Sequence, residues 1–245
     1  AADYGEAQRR RRTFIFAARE HSRSHNRLNR LDLEKNASRW LKKTGFFAPI
    51  FPVVRKAECL HRVADIKDYD GLLDMTERFK CGFCNAGIMV NGAVYTQELT
   101  PERVEPKPLS SIVEHGVVDD HFFIPDARLK KWEYMKGPKR IPRVDKKTGH
   151  EYIFSEGGIP FPDPLDRPAR TMLTSEGGTN RSTHIISDPA TGRLRILTPV
   201  ECERINGFPD NWTDTGMPER QRYFIMGNAL VVPLITKMGK RLLEV

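Results

Sequence analysis

The end of the chain constrains it most. Arg195-Ile-Leu-Thr198-Pro199-Val-Glu201-Cys202-Glu-Arg204-Ile-Asn-Gly207-Phe208-Pro209 is followed, after a short spacer, by Met226-Gly227-Asn228-Ala229-Leu230-Val231-Val232-Pro233. Thr198 is a suitable N-cap, and Pro199 suits the first helical turn. Glu201 stands three residues after the cap, where a carboxylate answers the cap's own N–H. A capped helix is predicted over residues 199–205, and an amphipathic helix over residues 232–243. Amphipathic packing alone accounts for neither string.

The rest of the chain gives coarser signals. Residues 13–18, Thr-Phe-Ile-Phe-Ala-Ala, predict a buried strand. Residues 21–43 predict a helix, with Leu28, Leu31, Leu33, Ala37, Trp40 and Leu41 set among charges. Pro49, Pro52 and the mixed stretch to Asp70 read as a linker or domain entry. Gly87-Ile-Met-Val-Asn91-Gly92-Ala-Val-Tyr95 carries the Asn-Gly signal of a tight hairpin. Residues 154–168 are rich in Gly and Pro and are predicted not to be helical.

Charge narrows the partners. The net charge is +8, and it is uneven. Residues 1–56 hold 14 Lys/Arg against 5 Asp/Glu, and residues 128–147 hold 9 against 2. Two separated basic segments suit a polyanion such as a nucleic acid. No apolar run is long enough to span a membrane. The polar opening, ending in Arg9-Arg10-Arg11-Arg12, does not read as a signal peptide, and none is expected. A chain of 245 residues has room for one large core or two modest ones.

The four cysteines are Cys59, Cys81, Cys84 and Cys202. Cys81-Gly-Phe-Cys84 is a lone C-x-x-C. A structural zinc needs four ligands, for which Cys59 and His61 are the other candidates. Free thiols in a reducing compartment are the favoured reading, so no metal is expected. Cys202 reads as a small packed hydrophobe.

The two C-terminal strings, in this order, resemble the last two conserved blocks of DNA cytosine-5 methyltransferases. The opening Asp3-Tyr4-Gly5-Glu6-Ala7-Gln8-Arg9-Arg10-Arg11-Arg12 is similar to the Asp-Tyr-Gly and Gln-x-Arg-x-Arg block of that family. The resemblance covers only the C-terminal part of the family. It implies an α/β class, α+β in this segment. Residues 1–56 are expected to end a Rossmann-like catalytic domain and add a basic helical linker. Residues 57–195 are expected to form a β-rich target recognition domain, and 196–245 to return as a helix to the catalytic domain.

The implied chemistry is methyl transfer from S-adenosylmethionine to carbon 5 of a flipped cytosine in double-stranded DNA. A thiolate adds to C6 first, and the base must leave the stack to be reached. The family's Pro-Cys nucleophile and Glu-Asn-Val acid do not occur in this sequence. An N-terminal catalytic segment or subunit is therefore expected to supply them, from a split enzyme or from the rest of a longer chain. The alternative is a non-catalytic DNA-binding module derived from such an enzyme. An unrelated zinc-containing RNA-binding protein has only the C-x-x-C and the charge in its favour.

The resemblance assigns roles residue by residue. Gln8, Arg10 and Arg12 take the catalytic positions, with Arg12 near the base and Arg10 ordering the pocket. Alternation in an extended segment would put Arg10 and Arg12 on one face. Asn228, Ala229 and Leu230 are expected to close over the cofactor, Leu230 standing where the family usually has Val. Arg170 and Thr171, with Met172, mark the recognition domain, and Thr171 is expected at a phosphate. Arg181 is the candidate for a bidentate guanine contact, worth about 1–3 kcal/mol. Ser155-Glu156-Gly-Gly echoes Ser175-Glu176-Gly-Gly, and Glu156 is a candidate acceptor for cytosine N4. Lys136, Lys139 and Arg140 are expected on phosphates, which position without specifying. By analogy, the setting is a bacterial restriction–modification or defence system, cytoplasmic and nucleoid-associated.

Overall fold

The computed structural model describes residues 1–54 and 59–245, a mixed α/β chain with small sheets. Its contacts divide it into two units, each built from two stretches of chain. One comprises residues 1–11 and 105–232, the other 12–104 and 233–245. These units cut across the divisions read from the sequence. The boundary expected at 56/57 lies outside the described residues.

In the second unit the predicted helix over 21–43 is broken in the middle. Helix α1 (Arg23–Asn29) is capped by Ser22, and α2 (Leu33–Arg39) by Asp32. Asp32 is the cause of the break: its carboxylate accepts from Lys35 N at 3.4 Å, and an N-cap needs non-helical backbone. A π-helical turn at Trp40–Thr44 follows. Leu33 and Ala37 of α2 pack with Ile88, Val90 and Tyr95.

Those last three residues belong to an antiparallel sheet. Strand β1 (Leu60–Asp65) is followed by helix α3 (Gly71–Arg78), β2 (Ala86–Val90) and β3 (Ala93–Gln97), with strand order β1-β3-β2. The β2–β3 turn is the Asn-Gly hairpin. Asn91 and Gly92 have φ of 52° and 94°, the two positive values that a type I′ turn requires. Strand β1 falls where a linker was expected. It is an edge strand whose register shifts between Arg62 and Ala64, so its residues show no clean alternation.

Residues 13–18 are not the buried strand that was predicted. Phe14 and Phe16 are half-buried, while Ile15 is 88% exposed. Phe16 stacks on Phe46 at 4.1 Å and Phe14 lies 6.0 Å from Phe51, beside Met238 of the last helix. The period of two is present, but aromatic stacking on one face stands where ladder pairing was expected.

The first unit contains α4 (Asp126–Lys136), β4 (Lys139–Val144), β5 (Glu151–Glu156), β6 (Ile185–Ser187), β7 (Leu194–Ile196), α5 (Pro199–Asn206) and α6 (Glu219–Asn228). Residues 154–168 contain no helix. Helix α5 starts as predicted. Thr198 Oγ1 accepts from Glu201 N at 3.2 Å, and Glu201 Oε2 accepts from Thr198 N at 2.8 Å. Gly207, at φ 77°, ends it in the left-handed conformation. The core gathers Ala7, Leu109, Met172, Ile186, Leu197, Cys202, Ile205, Tyr223 and Met226. Each large apolar side chain here contributes about 1.5–3 kcal/mol by leaving water. A buried ion pair braces the start of α5: Arg195 donates to Glu201 Oε1 at 2.7 Å and to Asp188 Oδ1 at 2.8 Å. Helix α7 (Val232–Leu242) closes the chain, as predicted from the pattern. Among the described residues no helix is long and apolar enough to cross a membrane.

Candidate functional site

The opening segment runs beside residues 169–172. Ala169 N donates to Ala7 O and Arg9 N donates to Ala169 O, each at 2.8 Å. Thr171 Oγ1 donates to Arg9 O at 2.5 Å. Arg10 then turns inward and is only 4% exposed. Its Nη1 donates to Met172 O at 2.9 Å and to Gln8 Oε1 at 3.3 Å, and its Nη2 donates to Gly227 O at 2.9 Å. Gln8 is buried and donates to Asn206 Oδ1 at 3.4 Å, and Asn206 donates to Met226 O at 3.0 Å. One guanidinium fork thus fastens three separate pieces: the opening segment, Thr171-Met172, and the turn of α6 that ends in Asn228.

The expected alternation does not hold. Arg10 N donates to Gln8 O at 3.0 Å, a tight turn that breaks the extended geometry. Gln8 and Arg10 are buried, while Arg9, Arg11 and Arg12 are exposed. Arg10 and Arg12 therefore do not share a buried face. Arg12 is the first residue of the other unit.

Close packing fixes α6 against the loop after Met172. A Cβ on Gly227 would collide with the backbone of Leu173 and Thr174. Gly177 lies flat on the Tyr223 ring at φ 76°, where any side chain would meet that ring. Tyr223 Oη donates to Leu197 O at 2.6 Å, and burial pushes its phenol far above the usual range.

Asn228 and Leu230 are exposed, and Ala229 is half-buried. Asn228 and Ala229 edge a pocket of about 390 Å³ whose walls are Phe208, Trp212, Met217 and Ile225; Leu230 does not line it. The Phe208 and Trp212 rings lie 6.0 Å apart. Thr213, also at the pocket, is committed to Glu203 through both its N–H and its hydroxyl. Burial opposes the charge on Glu203, but Thr213 and Arg222 outweigh it and hold the carboxyl below its ordinary value. The pocket offers apolar and aromatic walls and one exposed amide. That set fits one edge of a site for a nucleoside-bearing ligand such as S-adenosylmethionine, and it contains no counter-charge for the ligand's amino-acid end.

The recognition candidates divide into two groups. Arg170 pairs with Asp163 through both carboxylate oxygens and donates to Ser182 O at 3.1 Å and Thr183 O at 3.3 Å. Burial works against Asp163's charge, yet the Arg170 fork holds the carboxyl below its usual value. Arg181 donates to Met135 O, to Gly137 O at 2.9 Å and to Gly157 O, and lies 3.4 Å from Glu156. Glu156 also faces Lys139 at 3.8 Å. Lys136 is 1% exposed and donates to Thr183 O; burial lowers its pKa to about 8, and nearby Arg170 adds to the effect. These side chains tie the loop over residues 175–184 to α4 and to the base of the β4–β5 hairpin. In this arrangement Arg181 has no fork to offer a guanine, Lys136 cannot reach a phosphate, and the Thr171 hydroxyl is turned onto Arg9. Their partners are backbone carbonyls far along the chain, which a sequence does not display.

Arg140 and Ser155 form the second group. Both are exposed, and they stand opposite each other on the β4–β5 ladder. The two Ser-Glu-Gly-Gly strings are not equivalent. Glu156 sits at the ladder's base, whereas Glu176 is buried and accepts from His184 N at 2.7 Å and meets His184 Nδ1 at 3.0 Å. Glu176, whose repeated string suggested a DNA-facing loop, is buried instead, and no local pattern in the sequence marks Asp163, His184 or Asn206. Arg195, inside the most informative string, was foreseen only as part of a motif.

Cys202 is packed in the core, Cys81 and Cys84 are half-buried, and Cys59 is exposed. Burial, with the carboxylates of Glu176 and Glu201 adding to it, pushes the Cys202 thiol well up. Cys81 Sγ donates to Val63 O at 2.8 Å. Among the described residues no group of three or more His, Cys, Asp or Glu is placed to hold a metal ion.

The family model described as C-5 cytosine-specific DNA methylase matches residues 1–244. The Type II methyltransferase M.Sau3AI of Staphylococcus aureus is 45% identical over 242 residues, 99% of this chain and 56% of that protein. The Type II methyltransferase M.MspI of Moraxella sp is 29% identical over 160 residues, 53% of this chain and 38% of that protein. Among solved structures, S. pombe Dnmt2 methyltransferase aligns over 58% of this chain and 43% of its own, at 17% identity and a TM-score of 0.39. The chain thus spans little more than half the length of the relative it matches end to end. It belongs to the C-5 cytosine-specific DNA methylase family.

Proposed function

We propose that this chain is the C-terminal, base-positioning and DNA-engaging part of an S-adenosylmethionine-dependent DNA (cytosine-5-)-methyltransferase. The observation that carries this reading is the Arg10 fork. It joins the Gln8–Arg10 segment, the Thr171-Met172 marker and the turn before Asn228 into one construction. A plain structural domain has no need to bring these three family positions to one guanidinium.

The residues then divide the work. Gln8 and Arg10 position, since both are buried and committed to neighbouring groups. Arg12, exposed at the end of the arginine cluster, reaches the O2 and phosphate side of a flipped cytosine, for which a guanidinium fork is suited. Asn228 and Ala229 give one edge of the cofactor site, with Phe208 and Trp212 as its apolar wall. The bound cofactor supplies the methyl group. The thiolate nucleophile and the carboxyl acid come from residues outside this sequence, which has no Pro-Cys and no Glu-Asn-Val. In this reading residues 1–56 end a Rossmann-like catalytic domain and add its basic linker, and residues 57–195 serve target recognition. The working place is the bacterial cytoplasm, on the nucleoid, within restriction–modification.

The test is methyl transfer from tritiated S-adenosylmethionine to mixed-sequence duplex DNA. The chain is assayed alone and with a polypeptide carrying the family's Pro-Cys and cofactor-domain segments. Transfer only in the mixture supports the reading. Duplex binding with no transfer in either case would make the chain a non-catalytic DNA-binding module.

A further inference from the structure

We propose that the β4–β5 hairpin is a ribbon that enters a groove of duplex DNA, with Arg140 and Ser155 directed at base edges and the tip lysines at phosphates. This rests on the methyltransferase reading above and moves sequence choice from Arg181 to the ribbon.

Four observations carry it. First, the hairpin is a separate two-stranded sheet of six paired positions, and every residue from 142 to 153 is exposed. Among the described residues its half-buried positions, Lys139, Ile141, Phe154 and Glu156, all lie at its base. An isolated pair of strands has no core of its own to protect, and a two-stranded ribbon matches the width of a major groove.

Second, the charge suits a polyanion. Lys139, Arg140, Arg143, Lys146 and Lys147 stand against Asp145, Glu151 and Glu156. Glu156 is held at the base by Lys139 and Arg181. Asp145 is turned into the tip, where it accepts from Lys147 N at 2.9 Å, Thr148 N at 2.8 Å and the Thr148 hydroxyl at 3.0 Å. Those contacts hold its carboxyl below the usual range. Arg140, Lys146 and Lys147 have no ion pair among the described residues.

Third, the two faces differ. The pairing puts Arg140, Pro142, Val144, Glu151, Ile153 and Ser155 on one face. That face holds a fork donor for guanine O6 and N7, a hydroxyl for either base, and exposed Val144 and Ile153 for a thymine methyl. The opposite face presents Arg143, whose guanidinium lies over the Phe154 ring at 3.9 Å and is thereby held in place. Fourth, α4 runs into the ribbon through Gly137-Pro138 and carries exposed Arg128, Lys130 and Lys131. The cationic surface continues past the hairpin's base.

The experiment is fluorescence anisotropy of a labelled mixed-sequence 24-base-pair duplex with the full chain, titrated across salt concentrations. Each phosphate contact contributes about 0.9 to the slope of log affinity against log salt. Lys146→Ala with Lys147→Ala is expected to reduce the slope by about 1.8 and to weaken all sequences alike. Arg140→Ala is expected to lower discrimination between the mapped target and a scrambled duplex about five- to a hundred-fold. Trypsin cleavage within residues 140–147 should be slowed by duplex DNA. An unchanged slope in the double variant, with circular dichroism as for the parent, overturns the proposal. So does protection of the ribbon by the catalytic polypeptide and not by DNA, which would make it a protein-docking element. A parent chain that binds no duplex also overturns it, while the methyl-transfer assay judges the wider reading separately.

Discussion

Two regions of one unit are both rich in cations and use them in opposite ways. In the region around Arg10, Arg170, Arg181 and Arg195, guanidinium forks are turned onto backbone carbonyls and carboxylates. In the β4–β5 ribbon, Arg140, Lys146 and Lys147 face solvent. An arginine is a candidate for DNA only where its donors are not already taken. By residue type Arg181 and Arg140 are the same; by the carbonyls around them they are not.

The difference is sharpest in stability. Arg195→Met should cost about 3–5 kcal/mol, because Asp188 and Glu201 would remain as unpaired charges in a closed interior. Urea unfolding measures this, and a loss below about 1 kcal/mol would place Arg195 with the ribbon residues.

Arg10→Ala comes next, at about 3 kcal/mol, since Met172 O and Gly227 O lose a charged donor. Methyl transfer by the completed enzyme should fall further than duplex affinity does, with Arg10→Lys recovering only part of the rate. Equal losses in the two would make Arg10 a general fastener rather than a positioning residue.

Lys136 gives a pH signature. Its folded-state pKa is depressed to about 8 from 10.5, so between these values the unfolded chain binds more protons. Stability should therefore rise with pH from about 8 to 10.5, by up to about 3 kcal/mol, and this contribution is lost as pH falls through 8. The parent-minus-variant difference against Lys136→Met isolates the effect. A flat difference across this window would show that the amine is solvated.

Arg181→Ala should destabilise by about 1–3 kcal/mol and weaken target and scrambled duplexes equally. A selective loss of the target would restore Arg181 as a base reader. Smallest of all, Arg140→Ala should leave unfolding within about 0.5 kcal/mol of the parent.

Local features were legible in the sequence, and saturation was not. The capping box at Thr198 and Glu201, the Asn91-Gly92 turn and the final helix follow from residues a few positions apart. The break at Asp32 is equally local, but the leucines on either side of it read as a single helix. The fate of Arg170 and Arg181 depends on carbonyls at residues 135, 137, 157, 182 and 183. Only the folded chain brings those together. Of the candidate site, the residue types came from motifs; which cations face inward came from packing.

Bisulfite sequencing of plasmid DNA from bacteria that express this chain with the catalytic polypeptide tests the proposed function in one step. Protected cytosines are expected within one short recurring sequence, absent when either part is omitted and lost with Arg10→Ala. Protection by this chain alone, or protection undiminished by Arg10→Ala, would contradict it.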